Sequence, residues 1–362
     1  MQKITNIEIN NFKSIRHQTI DDCRRINVFI GYPNVGKSNI LEALSLFSID
    51  GKTSNFSSYV RKERQTTLFF NGEISKQAEV KINDKHRVVA KANNEVIVFE
   101  EQFERPGTSF EKKDDGFIHM DDSGDVLTRK IFNLTTENNR SEINRYTLNP
   151  IGKEYDLSEI KKYEFAKNIS YSFDDFFKLS VPFGNNIFNI ISSNSSLRKE
   201  IAELLNQYDL KFVNDKETQT YKILKFIDSD NIFTIPYSMI ADTLQRLIFF
   251  KTAIVSNKQT ILLFEEPEAH MFPPYISKFT NDVIYDENNN QFFITTHSPF
   301  VINDFMDNLK SDELAIYIVS YKKETGETQI NRMSEIDMHE AYQFGYDFFM
   351  NIDKFISQEQ HD

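Results

Sequence analysis

Apolar positions recur with two different periods along this chain of 362 residues, and the change of period marks the predicted elements. An apolar run at 27–30 predicts a buried strand, and a loop with two glycines follows it. Beyond the loop, apolar residues return at helical spacing and share one face: Ile40, Leu41, Leu44 and Phe47. The pattern therefore predicts a strand, a glycine loop and a helix in direct succession.

Strand-like alternation dominates the next part of the chain. We interpret residues 56–130 as an antiparallel β region with a surface insertion. Its predicted strands and hairpin lie at 67–74, 78–82, 86–90, 95–99 and 116–128.

Helical spacing returns after residue 160, most clearly at 197–205, so residues 131–230 are predicted to form a helical lobe. Two more short apolar runs, at 261–264 and 291–294, end in polar residues and predict buried strands. The last segment, 311–362, is predicted to form a hairpin followed by a helix.

The glycine loop reads Gly31-Tyr-Pro-Asn-Val-Gly36-Lys37-Ser38, which has the spacing G-x-x-x-x-G-K-S of a phosphate-binding loop. Glycines allow the backbone to curl so that its N–H groups face one side. Lys37 supplies a positive charge, the following helix adds its dipole, and the Ser38 hydroxyl is a ligand for Mg²⁺. We predict that a nucleoside triphosphate binds here, in contact with Gly31, Asn34, Val35, Gly36, Lys37, Ser38 and Asn39.

Two adjacent carboxylates follow the strand predicted at 261–264. Because successive strand residues point to opposite sides, Glu265 and Glu266 are expected to face different groups. We assign Glu265 to the shell of the Mg²⁺ ion and Glu266 to the attacking water, as general base. A solvated acidic turn is the alternative, and the phosphate-binding loop favours the catalytic interpretation.

The strand predicted at 291–294 leads into Thr296 and His297. In a doubly wound sheet, ligands bind at the carboxyl ends of the strands, so His297 is expected at the same edge as Gly31 and Glu266. Its imidazole is expected to contact the γ-phosphate or to hold the attacking water. A structural role is the alternative for a single histidine.

Composition narrows the class of protein. A net charge of −12 argues against a broad basic surface, so nucleic acid is not indicated as a partner, although a local basic patch stays open. Cys23 is the only cysteine, which excludes an internal disulfide framework and favours a cytoplasmic location. No apolar run approaches the roughly 18 residues of a membrane span, so no membrane association is expected.

Together these segments resemble the ATP-binding-cassette (ABC) ATPases of the SMC and RecF type. The closer resemblance is to compact ATPases related to OLD proteins, many of which belong to bacterial anti-phage defence systems. It covers about 1–50 and 230–305 of the chain. The segments that carry it are Asn-Phe-Lys-Ser at 11–14, the phosphate-binding loop continuing to 43, Glu-Glu-Pro-Glu-Ala-His at 265–270 and Thr-His-Ser-Pro at 296–299.

The resemblance implies an α/β fold, namely a P-loop NTPase of the ABC/SMC-head type. Its mixed sheet is flanked by helices, with an antiparallel β subdomain and a helical insertion. The ATP-binding core is then discontinuous, over 1–55 and 231–310. By this resemblance Glu265 takes the Walker B position, Glu266 is the catalytic glutamate and His297 is the switch histidine. ATP and Mg²⁺ are the implied ligands.

The family signature segment is expected at 238–246, at the start of an amphipathic helix. Gln245 and Arg246 fit its end, but the glycines of the usual L-S-G-G-Q pattern are missing. In the family, this segment of one subunit closes over the nucleotide of another. The resemblance therefore implies a homodimer or higher homo-oligomer, and the missing glycines leave the geometry of closure open.

OLD proteins also carry a C-terminal Toprim metal domain, whose paired Asp-x-Asp is not found near the end of this sequence. We therefore expect a Mg²⁺-dependent ATPase that switches between open and closed dimers and acts on a separate effector, such as a nuclease or toxin. A RecF-like DNA-repair ATPase and a non-hydrolysing scaffold are the alternatives.

Overall fold

The structure of the chain is a computed structural model. It describes residues 3–49, 56–62, 64–83, 86–93, 96–103, 129–135, 143–148, 159–167, 169–172, 175, 177–215, 220–228, 230–344 and 348–357. By compactness the chain divides into two units. Unit 1 comprises Met1–Ile160, Phe293–His297 and Lys310–Asp362, and unit 2 comprises Lys161–Phe292 and Ser298–Leu309.

The described strands, in chain order, are β1 (Ile7–Phe12), β2 (Ile15–Ile20), β3 (Ile26–Ile30), β4 (Ala78–Ile82), β5 (His86–Asn93), β6 (Val96–Phe103), β7 (Arg129–Thr135), β8 (Ile143–Leu148), β9 (Ile160–Tyr163), β10 (Leu210–Asp215), β11 (Thr220–Phe226), β12 (Ile232–Ile235), β13 (Ile261–Glu265), β14 (Gln291–Thr295), β15 (Leu314–Lys322) and β16 (Glu327–Arg332). The described α-helices are α1 (Lys37–Ser45), α2 (Ile187–Ser193), α3 (Ser195–Asn206), α4 (Asp242–Ser256), α5 (Pro273–Ile284), α6 (Pro299–Asn308), α7 (Glu335–Gln343) and α8 (Ile352–Ser357).

Unit 1 contains a seven-stranded antiparallel sheet in the order β2-β1-β4-β5-β6-β7-β8. Burial alternates along β1 and β4, as expected for strands with one buried face. The unit also contains strands β16, β15, β3 and residues 293–295 of β14, adjacent in that order. Strand β15 is parallel to β3 and antiparallel to β16, so this second sheet is mixed.

Strand β3 is buried along its whole length, which explains its continuous apolar run. The ring of Phe29 stacks on Tyr317 of β15 and on Phe293 of β14, with centroids 5.0 and 6.4 Å away. These contacts fix the strand that leads into the glycine loop.

Unit 2 contains the antiparallel sheet β10-β11-β12 and, separately, residues 161–163 of β9, strand β13 and the first residues of β14. The backbone N–H of Gln291 donates to the Thr260 carbonyl oxygen at 3.0 Å, so β13 and β14 begin side by side. Helices α4 and α5 carry Phe250 and Phe279 into the core that covers β13. The predicted α/β class, with a mixed sheet, flanking helices and an antiparallel sheet, is confirmed.

Several predicted elements match closely. The strands predicted at 78–82, 261–264 and 291–294 are β4, β13 and β14, and the helix predicted at 197–205 lies within α3. The hairpin predicted in the last segment is β15 and β16. The hairpin predicted at 116–128 lies outside the described residues.

Other predictions were wrong. Residues 67–74 form short 3₁₀ turns instead of a strand, because Asn71 and Gly72 adopt φ angles of 49° and 72° and interrupt extended backbone. The predicted helical lobe, 131–230, contains α2 and α3 but also most of β7 and strands β8 to β11. Strand β7 pairs with β8, and β10 pairs with β11, in antiparallel ladders that the helical spacing of α3 does not reveal. The single helix expected after the hairpin is two helices, α7 and α8.

No helix in the described ranges combines the length and the apolar character that crossing a bilayer requires.

The core of unit 2 yields a test of the fold. Phe264 is fully buried, and its ring lies 5.2 to 6.3 Å from the rings of Tyr163, Phe250, Phe279 and Phe292. We expect Phe264→Ala to lower the free energy of unfolding by about 3–5 kcal/mol, because a cavity replaces the ring. Urea unfolding followed by circular dichroism measures this.

Phe177, which is 85% exposed, is the matched control, and Phe177→Ala is expected to change the same quantity by less than about 0.5 kcal/mol. Equal effects of the two substitutions would contradict the packing described here.

Candidate phosphate-binding site

The glycine loop connects the carboxyl end of β3 to the first residue of α1, as the sequence pattern predicts. Asn34 and Gly36 have φ angles of 62° and 103°, in the left-handed region. Gly36 is the N-cap of α1, whose helical turns start at Lys37. Left-handed residues among right-handed ones curl the backbone into a concave anion-binding turn, and the helix N-terminus adds its positive dipole. The loop therefore has the conformation that phosphate oxygens require.

Both glycines of the loop lie where a side chain has no room. A Cβ on Gly31 would be 2.1 Å from the carbonyl oxygen of Val319. A Cβ on Gly36 would be 2.2 Å from the Thr328 hydroxyl oxygen and 2.7 Å from that of Ser14. Both positions thus require glycine because the loop lies very close to other backbone and side-chain atoms. Conformational freedom is an additional reason.

The Lys37 side chain is folded over this loop. It is 5% exposed, and its ammonium donates to the carbonyl oxygens of Gly31 and Tyr32 at 2.9 and 2.8 Å. Both acceptors are backbone groups of the loop, so the ammonium lies at the loop. The loop therefore combines inward-curling backbone with a cation, which fits a phosphate chain.

A buried carboxylate lies on the same helix as Lys37 but pairs with other cations. Glu42 is fully buried and accepts from Arg61 Nε at 2.6 Å and from the Lys13 ammonium. Lys13 belongs to the two-residue turn between β1 and β2 and has a φ angle of 52°. Paired cations offset the cost of burying this carboxylate. The charge on Glu42 is therefore compensated by residues outside the loop.

His297 lies at the sheet edge from which the loop starts. The N–H of Thr296, one residue after β14, donates to the carbonyl oxygen of Phe29, one residue before the end of β3, at 3.2 Å. The carboxyl ends of the two strands are therefore side by side. His297 follows Thr296 directly and is half-buried. Within unit 1, the structure thus brings His297 and Gly31 to one edge.

The two acidic residues belong to unit 2. Glu265 ends β13, and its Oε2 lies 3.5 Å from the ammonium of Lys162, a residue of β9 that is 1% exposed. Glu266 lies outside the strand, with a φ angle of 43°. We expected the two side chains to point to opposite sides of one strand. That rule does not apply here, because Glu266 lies in a turn, and the turn sets the direction of its side chain. The Glu266 carbonyl accepts from the Ala269 N–H at 3.0 Å.

The segment expected to carry the family signature begins helix α4. Ala241 is the N-cap, and the Gln245 amide donates to the carbonyl oxygens of Ile240 and Ser238 at 2.8 and 3.3 Å. Arg246 lies over the Phe165 ring, 4.6 Å from its centroid. The Gln245 side chain is thus buried and bound to the preceding loop.

Two residues that contact the candidate site were not predicted from the sequence: Lys162, near Glu265, and Thr328, which bonds the glycine loop. Lys162 lies in a short strand with no motif, and Thr328 lies about 290 residues from the loop carbonyl to which it donates, that of Val35, at 2.7 Å. No local pattern indicates either contact, because each depends on which strands become neighbours.

The residues predicted to hold Mg²⁺ are Ser38 in unit 1 and Glu265 in unit 2. A hydroxyl and a carboxylate are oxygen ligands of the kind that Mg²⁺ prefers, and this ion usually takes few protein ligands beside water and substrate phosphates. In the part of the chain that the structure describes, no group of three or more His, Cys, Asp or Glu side chains is arranged to hold a metal ion. The donor types fit Mg²⁺ bound together with a nucleotide.

Residues 26–303 match the family model described as "AAA domain, putative AbiEii toxin, Type IV TA system". The chain is 27% identical over 331 residues to a Helicobacter pylori (strain ATCC 700392 / 26695) protein named ATP/GTP phosphatase, covering 82% of this chain and 85% of that protein. It is 28% identical over 116 residues to protein ea59 of Escherichia phage lambda, covering 29% of this chain and 21% of that protein.

Among solved structures, the chain is similar to an SMC head bound to the C-terminal winged-helix domain of ScpA. The TM-score is 0.49 at 14% identity, covering 94% of this chain and all of that one. It is also similar to the SMC head domain from Thermotoga maritima, with a TM-score of 0.41 at 12% identity, covering 92% of this chain and all of that one.

The crowding around Gly36 yields a second test. We expect Gly36→Ala to lower the free energy of unfolding by about 2 kcal/mol or more, because the new methyl meets Thr328 and the φ angle is strained for alanine. Gly72 is the matched control: its φ angle is 72°, but the nearest atom to an added Cβ is 3.8 Å away.

Gly72→Ala is expected to cost about 1 kcal/mol, from the φ angle alone. Thermal unfolding of both variants measures the difference. If Gly36→Ala is no more destabilising than Gly72→Ala, the close contact between the loop and Thr328 is absent.

Proposed function

The chain belongs to the family described as "AAA domain, putative AbiEii toxin, Type IV TA system", and on that premise we propose that it binds ATP at the glycine loop and hydrolyses it. The single observation that carries the proposal is the loop itself. Its curled backbone, its two glycines without room for side chains and the Lys37 ammonium form a cradle for a phosphate chain.

In this proposal, the loop residues and Asn39 bind the triphosphate through backbone N–H groups, and Lys37 adds charge to the outer phosphates. Ser38 and Glu265 would hold Mg²⁺. When bound, the ion stabilises the negative charge that develops on the phosphate oxygens. The Lys162 ammonium, 3.5 Å from Glu265 Oε2, places a positive charge beside this carboxylate.

Glu266 acts as the general base. It accepts a proton from a water molecule whose oxygen forms the new bond to the γ-phosphorus, while the bond from that phosphorus to the bridging oxygen breaks and its electron pair leaves with ADP. His297 orients this water or contacts the γ-phosphate, since it follows the strand whose end adjoins β3. The relative named ATP/GTP phosphatase, aligned over most of both chains, supports hydrolysis.

We further propose that the hydrolysis cycle drives a homodimer between open and closed forms, and that the change acts on a separate effector, a nuclease or toxin, in a cytoplasmic defence system. The family description names a toxin and a TA system, which supports the presence of an effector in the proposed system.

A non-hydrolysing scaffold is the second candidate. The observation that favours it is the Gln245 amide, which bonds two carbonyls of its own loop in a segment without the signature glycines. A turnover assay on the purified protein separates the two candidates, since a scaffold binds ATP without releasing phosphate.

The role of Glu266 has a direct test. We expect Glu266→Gln to lower the rate of phosphate release by roughly 10²–10⁴, because the amide cannot accept the water proton, while ATP is still bound. Phosphate release and binding of a fluorescent ATP analogue are measured in parallel.

Glu287, in an exposed loop, is the matched control, and Glu287→Gln is expected to leave turnover unchanged. Unchanged turnover in Glu266→Gln would remove this residue from the mechanism.

A further inference from the structure

The hairpin of β15 and β16 reaches the glycine loop through one side chain. Thr328 of β16 is fully buried, and its hydroxyl donates to the Val35 carbonyl at 2.7 Å. Its backbone N–H donates to the Ser14 carbonyl at 2.8 Å. The residue is thus bonded to two segments near the start of the chain, although it lies beyond residues 26–303 that match the family model.

The hydrogen bonds around Thr328 have one consistent direction. The Ser14 and Thr328 hydroxyl oxygens are 2.7 Å apart, and the Asn39 amide donates to the Ser14 hydroxyl at 2.6 Å. A hydroxyl has a single proton, and that of Thr328 goes to Val35. Ser14 must therefore donate to Thr328. The result is a chain of donors from Asn39 to Ser14 to Thr328 and finally to the loop carbonyl of Val35.

This chain of bonds fixes the two loop residues just before Lys37. Val35 is held by its carbonyl, and Gly36 packs directly under the two hydroxyl oxygens. The other end of the loop contacts the same hairpin, since Gly31 lies against the Val319 carbonyl of β15. A shift of the hairpin contact would therefore move the N–H groups and the ammonium that face the phosphates.

We propose that Thr328 is a positioning residue for nucleotide binding, which makes the β15–β16 hairpin part of the phosphate-binding site. The inference rests on the proposed function, because it takes the ligand of the loop to be a nucleoside triphosphate. Thr328 does not touch the nucleotide and acts through Val35 and Gly36. Holding the loop in its binding conformation reduces the ordering cost that the ligand would otherwise have to offset.

The experiment compares Thr328→Val, which removes the hydroxyl at nearly constant shape, with Thr328→Ser, which keeps it. Thr252→Val is the matched control, because Thr252 is also fully buried and donates to a carbonyl, that of Ile248, at 2.6 Å within α4. Affinity for ATP with Mg²⁺ is measured by calorimetry, and KM and kcat by phosphate release. Hydrogen exchange of the 31–38 peptide reports on the loop itself.

We expect Thr328→Val to weaken ATP affinity and to raise KM by about tenfold, with kcat changed by less than about twofold, because the loop carbonyl loses its donor. Exchange in the 31–38 peptide should accelerate. Thr328→Ser should restore the affinity to within about threefold of the unsubstituted protein, and Thr252→Val should leave affinity and KM unchanged.

Wild-type affinity and loop exchange in a folded Thr328→Val protein would overturn the inference while leaving the proposed function intact. If the unsubstituted protein binds no ATP, both are overturned. Should Thr328→Val not fold, Ser14→Ala breaks the same chain at the neighbouring hydroxyl. Wild-type affinity in that variant overturns the inference, and a loss of about fivefold or more supports it.

Discussion

The close approach of the glycine loop to the β15–β16 hairpin is the constraint on which the site depends. Gly31 and Gly36 each leave no room for a Cβ, the first because of a strand carbonyl and the second because of two hydroxyl groups. The loop is therefore shaped at both ends by the hairpin residues Val319 and Thr328, almost 300 positions away, and at one end also by Ser14. The shape of the proposed phosphate-binding loop therefore depends on the β15–β16 hairpin, which pairs with β3.

The charges around the loop follow from the same packing. Helix α1 buries Glu42, and the turn before β2 supplies Lys13 to compensate it, together with Arg61. The Lys37 ammonium donates to carbonyl oxygens of the loop itself. The charge of Glu42 is therefore compensated by residues outside the loop.

Much of this arrangement could be predicted from the sequence, because contiguous patterns carry it. The loop spacing, the buried strands β13 and β14 and the position of His297 after a strand are all local signals. The strand predicted at 67–74 failed because two turn residues outweighed the apolar alternation. The Glu265–Glu266 pair was identified as a motif, but the left-handed backbone of Glu266 was not. Thr328 and Lys162 could not be found, since their contacts depend on strand order.

Calorimetric titration with ATP and Mg²⁺ of the unsubstituted protein and of Lys37→Ala tests the central claim most directly. If the loop binds the triphosphate, the unsubstituted protein binds ATP and the alanine variant binds it at least about tenfold more weakly, because a charged hydrogen-bonding partner of the phosphates is lost. Equal affinities of the two proteins, or no binding by the unsubstituted one, would contradict the account.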